Sequence, residues 1–300
     1  MKKVVYRSLL IIGLVSFGGF VQAQDLVKEG AEIQQITAGH QFTEGPFWHE
    51  DGFLLYSDIP ANKIFKWTPE EQKTIFLDPS GNSNGITDDL HGGMVIAQHA
   101  GKVSQLDAEG NTTLLLDSYQ GKRFNSPNDL MVTSDGTLYF TDPPYGVQPE
   151  DRELDFCGVY RWKDGMEEAE LLFDEFETPN GLVFAPDESR FYVNDTQTGQ
   201  IYVFDIDDDG TVSEGSLFAE VGPATNNGAA DGMVVDENGN LYSTGPGGIH
   251  IFDAEGNKLT HIETPETVTN LDWGREGNQT LFMTSPTGIY TLEMNVNGWW

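Results

Sequence analysis

A chain of 300 residues with 48 acidic against 16 basic side chains carries a formal charge of −32, a surface that repels nucleic acid and anionic membranes. Its single cysteine, Cys157, excludes an intrachain disulfide and a thiolate metal cluster, and nothing adjacent in sequence would activate it as a nucleophile. The length allows two average domains, but repetitive all-β folds of this size are often one unit.

The chain opens like an export signal. Lys2, Lys3 and Arg7 precede an apolar run from Leu9 to Phe20, and Val21-Gln22-Ala23 puts small residues at a cleavage site. The run is short for a membrane anchor. The expectation is a removable signal peptide over 1–23, a single domain over 24–300, and a periplasmic or secreted product. Removal takes three basic residues and moves the formal charge to about −35.

Residues 24–31 read as a tail, and Glu32 to Thr37 alternates as a strand does. One unit then recurs six times, opened by Glu44 (EGPFWHEDGFLLYSD), Asn84 (NGITDDLHGGMVIAQ), Asn128 (NDLMVTSDGTLYFTD), Asn180 (NGLVFAPDESRFYVN), Asp231 (DGMVVDENGNLYSTG) and Asn270 (NLDWGREGNQTLFMT). Spacings of 40, 44, 52, 51 and 39 residues, with strand content in each unit, are the signature of a β-propeller. About seven residues after each opener lies a turn signal such as Asp51-Gly52, Asp135-Gly136 or Asn238-Gly239. A third strand follows (KIFKW, KVSQL, GVYRW, QIYVF, GIHIF, GIYTL), and five units add a fourth (TIFLD, TLLLD, ELLFD, SLFAE, LTHIE). The sixth unit lacks its fourth strand, and Glu32–Thr37 is available to supply it. The predicted fold is therefore all-β: a six-bladed β-propeller, four strands per blade, closed by the N-terminal strand.

Because each unit already has its own turn, the openers need another explanation than turn chemistry. The first strand of a blade lines the central channel, so six openers form an inner ring at one mouth. A second ring, fourteen residues on, holds Asp58, Gln98, Asp142, Asn194, Gly245 and Thr284. Every inner-ring side chain carries a carbonyl or carboxylate oxygen and none is basic. Two carboxylates facing one channel call for a neutralising cation, and hard oxygen donors in a wide site favour calcium.

The stretches FTEGPFW (42–48), RFNSPNDL (123–130), LYFTDPPYG (138–146), TPNGL (178–182), ADGMVVDENGNLY (230–242) and TGPGGI (244–249) resemble the gluconolactonase branch of the SMP-30/gluconolactonase/luciferin-regenerating family, across essentially the whole chain after residue 23. The resemblance implies a six-bladed propeller with a divalent metal in its channel. It implies Glu44, Asn180 and Asp231 as metal ligands, with Asn128 contacting metal, bound water or substrate. It also implies Asp231 as the carboxylate that takes and returns a proton during lactone hydrolysis. Some relatives carry an arginine two residues before the Asn128 position, where this chain has Ser126.

His99, Asp195, Arg123 and Tyr145 are further candidates for contact with substrate, Tyr145 on an insertion over Pro143–Cys157 that is placed to act as a lid. Gly-x-Ser-x-Gly, phosphate-loop and HExxH motifs are missing from the sequence. The leading expectation is a calcium-dependent lactonase acting on a small lactone such as gluconolactone. Alternatives are a phosphotriesterase-like hydrolase and a non-enzymatic propeller that binds a sugar or a protein.

Overall fold

The computed structural model describes residues 26–299 apart from residue 208, so the expected signal peptide lies outside the described residues. Six four-stranded antiparallel sheets follow one another along the chain. The first runs Thr43–His49, Phe53–Asp58, Lys63–Thr68 and Gln72–Leu77 from channel to rim. The innermost strands of the other five are Ser83–Asp88, Leu130–Val132, Pro179–Phe184, Met233–Val235 and Asn270–Gly274. Each innermost strand touches the next, and the sixth touches the first, which closes the circle of a six-bladed propeller.

The ring is sealed by the strand that the sequence left over. Gln34–Ala38, two residues later than expected at its start and one at its end, pairs antiparallel with Gly288–Glu293 as the outer strand of blade six. Ahead of it Leu26, 2 % exposed, packs into a cluster with Ile249, Leu292 and Met294. Blade one is tied to blade six from both sides. Thr43 Oγ1 donates to the Ser285 carbonyl at 2.6 Å, and Thr269 Oγ1 donates to the Thr43 carbonyl at 2.7 Å. The sequence spreads large apolar residues over every blade, and they meet at the seams: Tyr139 of blade three stands edge-on to Phe184 of blade four, ring centres 4.9 Å apart. Such pairs add about 0.5–1.5 kcal/mol beyond simple burial.

The opener-glycine pairs have their own cause. A Cβ on Gly45 would stand 1.9 Å from the Asn84 carbonyl oxygen, and one on Gly181 would stand 2.2 Å from that of Asp231. In the four blades where glycine follows the opener, that residue is pressed against a neighbouring blade's opener, and a side chain there would collide. These glycines set how tightly the ring of polar side chains is drawn together.

Candidate active site

Five of the six openers, Glu44, Asn84, Asn128, Asn180 and Asp231, share one cavity of about 350 Å³ at the channel mouth with Phe42, Ile59, Pro60, His99, Tyr145 and Thr196. The sixth, Asn270, does not line it. Its side chain hydrogen-bonds the carboxylates of both Glu44 and Asp129 and borders a smaller cavity of about 70 Å³ deeper in the channel, with Asp129, Asp272 and Trp299.

The asparagines form a directed chain. Asn84 Nδ2 donates to Asn128 Oδ1, Asn128 Nδ2 donates to Asn180 Oδ1 at 2.6 Å, and Asn180 Nδ2 donates to Thr196 Oγ1 at 2.9 Å. Each amide oxygen has two lone pairs, so donation from Asn128 fixes the direction of Asn180 Oδ1 and leaves one lone pair for a ligand. His99 Nε2 lies 3.1 Å from Asn128 Oδ1. Burial holds its pKa below the ordinary histidine value, so the ring is neutral at pH 7. One tautomer donates Nε2–H to Asn128 Oδ1; the other accepts Asn84 Nδ2, 3.3 Å away, and leaves Asn128 Oδ1 a lone pair for a ligand.

The two carboxylates are strained electrostatically. Glu44 is 2 % exposed, and its one hydrogen-bonding backbone donor is the Gly45 amide, to Oε2 at 3.0 Å. Burial pushes its pKa up, and the charge on Asp129 adds to the shift. Asp231 is raised well above the usual carboxylate range, first by burial and then by Glu44 and Asp129. Asp129, next to Asn128, is pushed up to about 7 by burial although it accepts the amides of Leu130 and Leu182. Among the described residues no lysine or arginine lines the cavity.

Behind the cavity a second set of carboxylates holds the loops that enter the openers. Asp58 accepts the amides of Gln41 and Phe42, Asp142 those of Asn125 and Ser126 at 2.8 and 2.6 Å, and Asp195 those of Glu177 and Thr178 at 2.8 and 3.0 Å. In blades one and three this residue falls fourteen after the opener, as the spacing predicts. In blade four it is Asp195 rather than Asn194, because that strand pair sets Pro179 opposite Asp195 across a longer hairpin. Asn194 instead bridges Gly181 N and the Asp231 carbonyl.

The structure brings Glu44, Asn128, Asn180, Asp231, His99 and Tyr145 together, but not Asp195 and Arg123. The Asp195 carboxylate also accepts Gln197 N and Thr198 N, so four backbone amides occupy it. The Arg123 guanidinium donates to the carbonyls of Phe124, Asn125 and His99. Phe42, Ile59, Pro60 and Thr196 were missed by sequence reasoning. Thr196 has no local signal; it sits two residues beyond the second-ring position. The insertion carrying Tyr145 is pinned by Gly146 N to Ser126 Oγ at 2.6 Å, and Tyr145 OH donates to Thr196 Oγ1 at 2.9 Å.

The channel mouth of this propeller thus gathers two carboxylates and a run of amide oxygens, all hard oxygen donors, beside an apolar wall. The chain belongs to the SMP-30/gluconolactonase/LRE-like family, whose profile matches residues 42–287. It is 35 % identical to a gluconolactonase of Zymomonas mobilis over 89 % of this chain and 82 % of that one. It is 28 % identical to the pentonolactonase XacC of Haloferax volcanii, over 82 % of this chain and 81 % of the other. The solved structure of a Xanthomonas campestris gluconolactonase superposes with a TM-score of 0.82 at 32 % identity, covering 90 % of this chain and 92 % of that one.

Proposed function

We propose that the chain hydrolyses neutral sugar lactones, such as gluconolactone, using a calcium ion held by Glu44, Asn128, Asn180 and Asp231, after export to the periplasm. That it is a lactonase follows from its family and its gluconolactonase and pentonolactonase relatives. The observation that carries the finer reading is the convergence of Glu44, 2 % exposed, and half-buried Asp231 on one cavity that, among the described residues, no lysine or arginine lines. Among the described residues no three histidine, cysteine or acidic side chains are placed to hold a metal by themselves, so the amide oxygens of Asn128 and Asn180 would have to complete the shell, a donor set that suits a hard cation. Two carboxylates supplemented by amide oxygens suit calcium, whose shell is large and tolerant. Export rests on the N-terminal residues Lys2 to Ala23.

Calcium bound there would supply Lewis acidity toward the lactone carbonyl and charge compensation for the two carboxylates. The chain's own residues do the rest. Asp231, which lines the cavity with Glu44, takes the proton of the attacking water and returns it to the ring oxygen as the acyl C–O bond breaks, giving the open hydroxy acid. Phe42, Ile59 and Pro60 offer an apolar wall to the carbon face of the sugar ring. Neutral His99 and the Tyr145 hydroxyl face that wall with polar atoms for sugar hydroxyls. With no lysine or arginine lining the cavity among the described residues, and Arg123 committed to three carbonyls, the site selects against phosphorylated or sulfonated lactones. A pH-stat screen of neutral and anionic lactones, with organophosphate triesters in parallel, tests this. Turnover of neutral lactones alone is expected, and preferential turnover of triesters would replace the proposal with a phosphotriesterase.

A further inference from the structure

Thr196 stands where three parts of the site meet. Its hydroxyl donates to the Ala230 carbonyl at 2.8 Å, the residue before Asp231. It accepts Asn180 Nδ2 at 2.9 Å and the Tyr145 hydroxyl at 2.9 Å. Asn180 Nδ2 also lies 3.3 Å from Tyr145 OH, which completes a triangle. A threonine hydroxyl has one hydrogen and two lone pairs, so this one is saturated, and every bond it makes goes to the site. Its backbone is equally constrained: Thr196 N donates to the Thr178 carbonyl, and Asp195 holds the turn through Gln197 N and Thr198 N.

The consequence concerns the Asn180 amide. An amide that turns over exchanges its oxygen for its nitrogen, and a nitrogen in place of Oδ1 would face a cation with hydrogens. Asn128 Nδ2 fixes the oxygen end of Asn180, while Thr196 and Tyr145 fix the nitrogen end. Only the last two belong to elements outside the amide chain, and only Thr196 also grips the strand entry that carries Asp231.

We propose that Thr196 is a positioning residue that locks the Asn180 amide with its oxygen toward the cation and couples the Tyr145 loop to Asp231. This rests on the cation site described under the proposed function. Outer partners of metal ligands commonly change metal affinity by about 10–100-fold. Thr196→Val, which keeps the shape and removes the hydroxyl, is expected to weaken calcium binding by about 10-fold or more in calorimetric titration. Thr196→Ser, which restores the hydroxyl, should return affinity to within about 3-fold of the parent. Tyr145→Phe should leave calcium affinity near that of the parent and raise KM for lactone more than it lowers kcat, because Thr196 still holds Asn180.

The thermal midpoint is measured alongside, so that a general loss of folding is recognised; should Thr196→Val not fold, Thr196→Ala serves in its place. Parental calcium affinity in the variant lacking the hydroxyl, or failure of serine to restore it, overturns the proposal. Calcium binding by the parent without turnover of neutral sugar lactones would overturn the substrate assignment and leave this test intact, whereas a parent that binds no calcium overturns the cation site and this proposal with it but not the lactonase assignment.

Discussion

Removing divalent metal should make the protein's stability depend on pH in a way that calcium cancels. Without a cation, burial and mutual repulsion hold the pKa values of Glu44 and Asp231 above their ordinary values. A folded state with raised carboxylate pKa values retains protons that the unfolded chain has lost, so stability falls as pH rises from the ordinary carboxylate range toward the folded values. Asp129, Asp142 and Asp272, each pushed up to about 7 by burial, add a slope of the same sign. Calcium at the proposed site would act on Glu44 and Asp231 directly and on Asp129 through its repulsion with them, so the difference between loaded and stripped protein reports on that cluster and not on Asp142 or Asp272. At a calcium concentration 100 times the dissociation constant, binding stabilises by about 2.7 kcal/mol, or about 5–10 °C in thermal midpoint for a domain of this size. If one proton is displaced per ion, affinity drops about tenfold for each unit that pH is lowered, and the gain at pH 5.5 nearly vanishes. Differential scanning calorimetry at pH 5.5 and 8, with titrations in two buffers of different ionisation enthalpy, measures the gap and the proton count. An equal gain at both pH values with no proton released would refute the reasoning.

Other outcomes follow from the same geometry. Asp231→Asn should keep the fold and lose about 10²–10⁴ in kcat if the carboxylate is the proton acceptor, read by pH-stat on gluconolactone. Asp195→Ala leaves four backbone amides without their acceptor and should cost about 2–4 kcal/mol by urea unfolding, with its effect on activity arising through the Thr196 turn. Gly45→Ala, whose new methyl would collide with the Asn84 carbonyl, should yield little soluble protein, as judged by expression and circular dichroism. Deleting residues 24–38 strips blade six of its outer strand and should lower the midpoint of the whole unfolding transition rather than add a separate early one.

The repeat was legible because each blade uses the same pieces: a polar opener, a tight turn that carries glycine in five of the six, and two more strands. That legibility extended to the closing strand, since a deficit in the last unit and a surplus before the first could only pair with each other. The ring of oxygens was legible for the same reason, but its depth was not. Asn270 looks like the other openers, yet its side chain interacts with Glu44 and Asp129 and borders the deeper cavity instead of the mouth. Asp195 and Arg123 resembled ligand contacts because charge near a mouth suggests them; only three dimensions show backbone groups consuming both. Thr196 was invisible because its value lies in three hydrogen bonds to residues 16, 34 and 51 positions away.

The most direct test of the account is lactone hydrolysis by the stripped protein, followed in a pH-stat on gluconolactone before and after calcium is returned. The account predicts loss of turnover on chelation and recovery with about one calcium per chain; undiminished turnover in metal-free protein would contradict it.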